Sequence, residues 1–265
     1  MFKRLLEEAS GALCLRRAVT VADAFEAAFK VLKISGFRDE YVYRAAVTQK
    51  ILLGKHSLRT ASMLTEFRAG ACKADLVILN GTSTVYEIKS ERDSLSRLAN
   101  QVKNYRKVFA TVNVITSEGH ISGVAATVPP DVGILCLSKR GHISITRDAV
   151  DRPDLVCPLT VLDSLRAAEA TQVLSMLGID LPDVPNTQRH SVMKECFRAI
   201  SPEDVHTAMV RTLKRTRNLA PLSEMVDKLP QSLHATALSV TLHRDHRSRL
   251  MTALATSLDE VAVWG

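Results

Sequence analysis

The chain contains no CxxC pair and no HExxH motif. Its five cysteines, Cys14, Cys72, Cys136, Cys157 and Cys196, are odd in number and widely spaced. That argues against a disulfide framework and against a structural zinc site, and it fits a reducing compartment. No apolar run reaches the roughly 18 residues a membrane-spanning helix needs. The start, Met1-Phe2-Lys3-Arg4-Leu5-Leu6-Glu7-Glu8, carries charges where a signal peptide would be apolar, so a cytoplasmic protein with no membrane partner is expected. Aromatics are scarce, with one Trp and four Tyr, and they are not interleaved with basic residues as in a stacking platform for single strands. His234, His243 and His246 lack the spacing of a metal motif and read as surface histidines. Internal repeats and low-complexity segments are also missing.

What is present is an ordinary globular composition with a basic excess. Hydrophobic residues make up 46% and charged residues 24% of 265 residues, enough to bury a sizeable core in one large domain or in a catalytic domain with an appendage. The formal charge is +7 and the pI about 9.3. Lysine and arginine gain affinity for phosphates by releasing condensed counterions, so a polyanionic partner is favoured.

The first third has helical periodicity. Val21, Phe25, Ala28, Phe29 and Leu32 repeat at three and four, Thr20 and Asp23 resemble a capping box, and Gly36 marks a stop. A second helix is expected from Asp39, with Val42, Ala45, Ala46 and Leu53 on one side and Gly54 closing it. From Ser62 the period shortens. Strands are expected over 63–67, 74–79, 85–90 and 112–116, with further ones over 133–137 and 142–146. A helix carrying Leu95, Leu98, Val102, Tyr105 and Phe109 lies between the third and fourth, with Asp93 as its N-cap, and a short helix spans 121–126. The order predicts an α/β fold with a mixed central sheet. Beyond about residue 153 helices dominate, over 160–177, 192–200 and 202–217 and on to Leu258. Three units follow: a helical segment 1–37, an α/β domain 38–152, and a helical domain or extension 153–265.

The stretch that carries chemistry is the hairpin from Asp75 through Asn80-Gly81 to Glu87-Ile88-Lys89. Successive strand side chains alternate faces, so Glu87 and Lys89 share one face and Ile88 takes the other. A two-residue turn at Asn80-Gly81 would set Asp75 against Tyr86 and separate the two acids. A three- or five-residue turn with Gly81 left-handed sets Asp75 against Glu87, and that register is expected. Phosphodiester hydrolysis needs an activated water, neutralised phosphoryl oxygens and a stabilised leaving oxygen, and Mg²⁺ or Mn²⁺ meets all three needs through oxygen ligands. Asp75 and Glu87, with the Ile88 carbonyl, are candidate ligands. Lys89 could position the attacking water or stabilise developing charge, and Glu66 is a further ligand or a general base.

This ordered set, Glu66, Asp75, Glu87-Ile88-Lys89, then Gln101-Val102-Lys103-Asn104-Tyr105, resembles the PD-(D/E)XK nuclease superfamily, and the Gln-x-x-x-Tyr element is similar to that of RecB-type members. The string Tyr86-Glu87-Ile88-Lys89-Ser90 with Asp93, Leu95, Arg97, Leu98, Gln101 and Tyr105 also resembles a bacterial nuclease-like family of undefined role. The resemblance covers residues 39–117. It implies a restriction-endonuclease-like αβββαβ core, a divalent cation, and hydrolysis of nucleic acid, with DNA the expected substrate and Gln101 and Tyr105 beside the active centre. Ala74 stands where the superfamily name has Pro, and the Asp followed by Gly residues of RecB-type members is absent.

The alternative is a catalytically silent fold of the same type that binds nucleic acid or protein. Arg97 suits a contact to a phosphate or to the site carboxylates, and equally a surface ion pair. Lys194, Arg198, Arg211, Lys214, Arg215 and Arg217 form the densest basic region, but Glu195, Glu203 and Asp204 interrupt it, so a solvated helix face is the expected reading. Oligomeric state is left open, a homodimer included.

Overall fold

The computed structural model describes residues 19–34 and 37–261. Cys14, Gly36 and the charged start lie outside them. Helix α1, Val21–Leu32, opens on the expected capping box between Thr20 and Asp23. Helix α2, Glu40–Val47, is capped by Asp39. It does not stop at Gly54: a π-helical segment, Thr48–Leu52, runs into a last turn, Leu53–Lys55, and the chain becomes extended at His56. Gly54 sits inside that turn because a Cβ there would meet the Gln49 carbonyl oxygen at 3.0 Å.

Six strands follow, β1 Ser62–Ala69, β2 Cys72–Asn80, β3 Thr82–Lys89, β4 Thr111–Thr116, β5 Gly133–Leu137 and β6 Ile143–Arg147. They form one sheet in chain order. β1, β2 and β3 are antiparallel, β3, β4 and β5 parallel, and β6 returns antiparallel to β5. The two parallel steps need crossovers. These are α3, Leu98–Tyr105, and α4, Ile121–Thr127. The mixed α/β sheet expected from the strand and helix order is therefore present.

The β2–β3 register is the odd-turn one. Asn80 pairs with Thr82 and Leu76 with Tyr86, leaving Gly81 alone at the tip with φ 75°. Only a residue without Cβ enters that region freely. One step beyond Leu76 and Tyr86, Asp75 stands across from Glu87. On the other side Thr65 pairs with Leu76 and Phe67 with Ala74, so Glu66 stands across from Asp75. Three acids thus form a row over three adjacent strands.

Two apolar cores sandwich the sheet. Val77, Leu79, Val85, Val112, Val114 and Ile134 face α3 and α4 on one side. Leu76, Ile78, Tyr86, Ile88, Ile115 and Leu135 face α1 and α2 on the other. The helices after residue 152 continue both layers. The first layer gains α5 Pro158–Ser164, α6 Ala167–Met176, α7 Asn186–Arg198 and α8 Pro202–Thr216. The second gains α9 Ser223–Lys228, α10 His234–Ser239, α11 Arg244–Ala255 and α12 Leu258–Val261.

The single helix expected over 160–177 is broken at Leu165-Arg166, both extended. The break lets Glu169 accept the Arg166 amide at 2.9 Å while it holds the Arg217 guanidinium at 2.8 and 2.9 Å. Asp93 is not the N-cap of α3 either. Its carboxylate accepts the Ser90 amide and hydroxyl at 2.8 and 2.6 Å, which fixes the turn leaving β3 instead.

Candidate metal centre

Four elements converge on the row of acids. β2 supplies Asp75, whose Oδ2 accepts the Ile88 amide at 2.8 Å. β1 supplies Glu66, the one non-glycine residue with positive φ among those described, at 51°. Leu64 and Phe67, three apart, consequently lie in the same core, as do Ala74 and Val77 opposite them. The usual two-residue alternation slips at the Glu66–Asp75 step. α2 supplies Glu40 from its first turn, where a carboxylate is favoured by the helix dipole and where it pairs with Arg44. Carboxylate oxygens of Glu40, Glu66 and Asp75 all lie within 4.8 Å of one another, Glu40 and Glu66 being exposed and Asp75 partly buried.

β3 supplies the deeper half. Glu87 and Lys89 are 1% and 4% exposed, and Lys89 Nζ donates to Glu87 Oε1 at 2.7 Å. α3 lies over them. Lys89 Nζ also donates to Gln101 Oε1 at 3.0 Å. The Tyr105 hydroxyl sits 2.7 Å from both Glu87 Oε2 and the Lys73 carbonyl oxygen, so its one proton has two acceptors. Gln101 and Tyr105, one helical turn apart, thus reach the same pair of β3 side chains. Glu87 does not join the triplet of Glu40, Glu66 and Asp75; its two oxygens are held by Lys89 and Tyr105. The Ile88 side chain is in the opposite core, and its amide is committed to Asp75.

The electrostatics of the centre are those of too many carboxylates for one ammonium. Burial, then the charge of Glu87, push the Asp75 carboxyl up to about 8, against the pull of the Ile88 hydrogen bond; Glu40 adds to the rise and Lys89 opposes it. Burial and then Glu87 also raise the Tyr105 phenol well above its ordinary value. The Cys72 thiol is raised by burial and by Glu87 and lowered by Arg97. An all-oxygen, carboxylate-rich set with excess negative charge suits a hard divalent cation such as Mg²⁺ or Mn²⁺.

Glu40 is the residue that sequence reasoning missed. An acid in the first turn of a helix is ordinarily a dipole partner, so only the approach of α2 to β1 and β2 marks it as more. The histidines stay apart from this chemistry. His234 Nε2 lies 3.1 Å from the Leu229 carbonyl oxygen, and His243 and His246 stack edge to face. Cys72, Cys136, Cys157 and Cys196 are free thiols. Among the described residues no helix is long and apolar enough to cross a membrane.

Fold and site together define an α/β protein with a carboxylate and lysine centre built on the antiparallel end of a mixed sheet. Residues 35–228 match the family model described as bacteriophage P4 protein cII, and the chain belongs to that family. It is similar to protein cII of Enterobacteria phage P4, 40% identical over 111 residues, which cover 40% of this chain and 41% of that protein. The match therefore spans about two fifths of the relative's length. A protein of unknown function from Silicibacter pomeroyi has a solved structure that covers 51% of this chain and 88% of its own, at 17% identity and a TM-score of 0.33.

Proposed function

We propose that the chain is a metal-dependent nuclease that hydrolyses phosphodiester bonds, with DNA the expected substrate. The observation that carries this reading is the meeting of two half-sites. Glu40, Glu66 and Asp75 offer carboxylate oxygens within 4.8 Å of one another. Beside them Lys89 is buried and held by both Glu87 and Gln101.

Glu40, Glu66 and Asp75 would hold Mg²⁺ or Mn²⁺, and Glu87 stands next to Asp75 to add its charge. When bound, the cation would lower the pKa of a water and neutralise phosphoryl oxygens. The protein's own part is positional. Lys89, fixed by Glu87 and Gln101, presents an ammonium where charge develops on a phosphoryl group or where an attacking water is held. Tyr105 fixes the far oxygen of Glu87, and the Ile88 amide orients Asp75. Glu66, exposed on the solvent side, is the acid best placed to take a proton from water.

The test is a cleavage panel of single-stranded, duplex and branched DNA and of RNA, run with Mg²⁺ or Mn²⁺ beside Lys89→Ala and Glu87→Ala. The native protein is expected to cut at least one substrate, and each variant to lose about a hundredfold or more of that rate. Cleavage that persists unchanged in Lys89→Ala sinks the assignment. Binding without cleavage by the native protein favours the silent interaction module instead.

A further inference from the structure

A cleft of about 290 Å³ opens between α1, α2 and the β5–β6 hairpin, on the helix layer opposite α3, and Lys33, Arg38, Lys50, Lys139 and Arg140 line it. Among the described residues lining it none is acidic. Its floor is apolar, formed by Phe29, Val42 and Leu137, which are buried.

Arg38 is 2% exposed. Its guanidinium donates to the carbonyls of Lys33, Leu137, Ser138 and Lys139 at 3.1, 3.2, 2.9 and 2.5 Å. Carbonyls satisfy its hydrogens, and its ion-pair partner Glu91 stands 4.0 Å away. Lys33, Lys50, Lys139 and Arg140 are exposed. Lys33 Nζ stands 4.3 Å over the Phe29 ring. Five cations around one cleft repel one another, and a chain of phosphates is the partner that reverses that cost. Arg38 precedes the N-cap of α2, and Lys50 lies in the π-helical segment that follows it.

The cleft continues toward the C-terminal ends of β3 and β4. A second depression of about 400 Å³ shares Arg38, Leu137 and Lys139 with it and extends to Ser117 and His120 after β4 and to two acids, Glu118 and Glu91, the latter two residues beyond Lys89. We propose that this basic cleft seats the sugar–phosphate backbone of the nucleic acid, delivering the strand past the ends of β3 and β4 to Lys89; the choice of occupant rests on the nuclease reading of the candidate metal centre.

The test measures binding without cleavage. Fluorescence anisotropy of a labelled oligonucleotide, single-stranded and duplex, is followed with the full chain in EDTA across a salt series. Lys50→Gln with Arg140→Gln should weaken binding about tenfold or more. It should also flatten the slope of log affinity against log salt by about 1.4 to 1.8, the share of two phosphate contacts. Lys33→Gln with Lys139→Gln serves as a second, independent pair. Arg211→Gln with Lys214→Gln on α8 is the control for loss of net charge alone. The proposal is overturned if the native protein binds neither oligonucleotide, or if both cleft pairs lose no more than the control. Cleavage with Mn²⁺ is scored separately. Cleft-dependent binding without cleavage rejects the enzyme and keeps the cleft, and cleavage with cleft variants that bind as the native protein does the reverse.

Discussion

Glu66 occupies a backbone region that costs an L-residue about 1–2 kcal/mol, because Cβ crowds the following carbonyl oxygen. Its φ of 51° falls in the middle of a strand. Glycine in a strand interior ordinarily loses about 0.5–1 kcal/mol. At this position the sign reverses, and Glu66→Gly should leave the metal-free protein about 0.5–1 kcal/mol more stable while it abolishes stabilisation by Mn²⁺. Urea unfolding with and without the cation measures both; a loss above about 1 kcal/mol without metal would show that the strain is absent. Asp75 gives a second prediction. Its carboxyl, pushed up to about 8 by burial and by Glu87, titrates near 3.9 in an unfolded chain. Between those values the folded protein holds a proton that the unfolded chain has released. The stability this supplies is full below about pH 4 and is lost as pH climbs through about 8. Asp75→Asn removes the charge and should flatten the alkaline limb of stability measured without divalent cations; an unchanged limb would refute the shift. These residues differ in how far sequence revealed them. The shared face of Glu87 and Lys89 was legible because strand alternation fixes it, whereas the slip at Asp75, which sets that acid with Glu40 and Glu66 rather than with Glu87, was not. Glu40 was not legible either, since nothing local says that the start of α2 reaches β1.

Among the elements, α8 is tied to β3 by a buried polar contact. Ser83 Oγ lies 2.9 Å from His206 Nε2 and accepts the Ala110 amide at 3.1 Å. Burial lowers the His206 pKa below its ordinary value, with Asp151 opposing. The sign is opposite to that of Asp75: the unfolded chain binds the proton more readily, so this contribution is present above about pH 6.5 and fades as pH falls below it. Ser83→Ala leaves a buried amide and a ring nitrogen unpaired, and should cost about 1–3 kcal/mol. Thermal unfolding near pH 8 checks the cost, and a variant as stable as the native protein would mean the contact carries no weight. Elements with local signals were readable: the capping box of α1, the Asp39 cap of α2 and the Gly81 tip all follow from adjacent residues. The break between α5 and α6 was not. The Glu169–Arg217 pair that accompanies it spans 48 positions, and periodicity over 160–177 carries no trace of it.

At the scale of the molecule, the helices beyond residue 152 bear on whether the α/β part can stand alone. α8 buries Val205, Ala208, Met209, Val210 and Leu213 against the same core as Val77, Val85 and Val114 of the sheet. Its four larger apolar side chains stabilise the fold by about 6–12 kcal/mol. That is comparable to the whole stability of a typical domain, about 5–15 kcal/mol. The other face depends in the same way on Met225, Val226, Leu238 and Leu254, which pack with Leu76, Ile78 and Ile115. The family match also runs through this point, over residues 35–228. A fragment of residues 19–152 keeps every candidate metal ligand and all six strands, yet it bares apolar surface on both sides of the sheet. It should therefore lack a cooperative unfolding transition and bind hydrophobic dyes, whereas the full chain unfolds cooperatively. Calorimetry and amide hydrogen exchange on the two proteins decide this. A fragment that unfolds in one sharp transition would make the later helices an appendage, and the candidate centre would then belong to a self-sufficient domain.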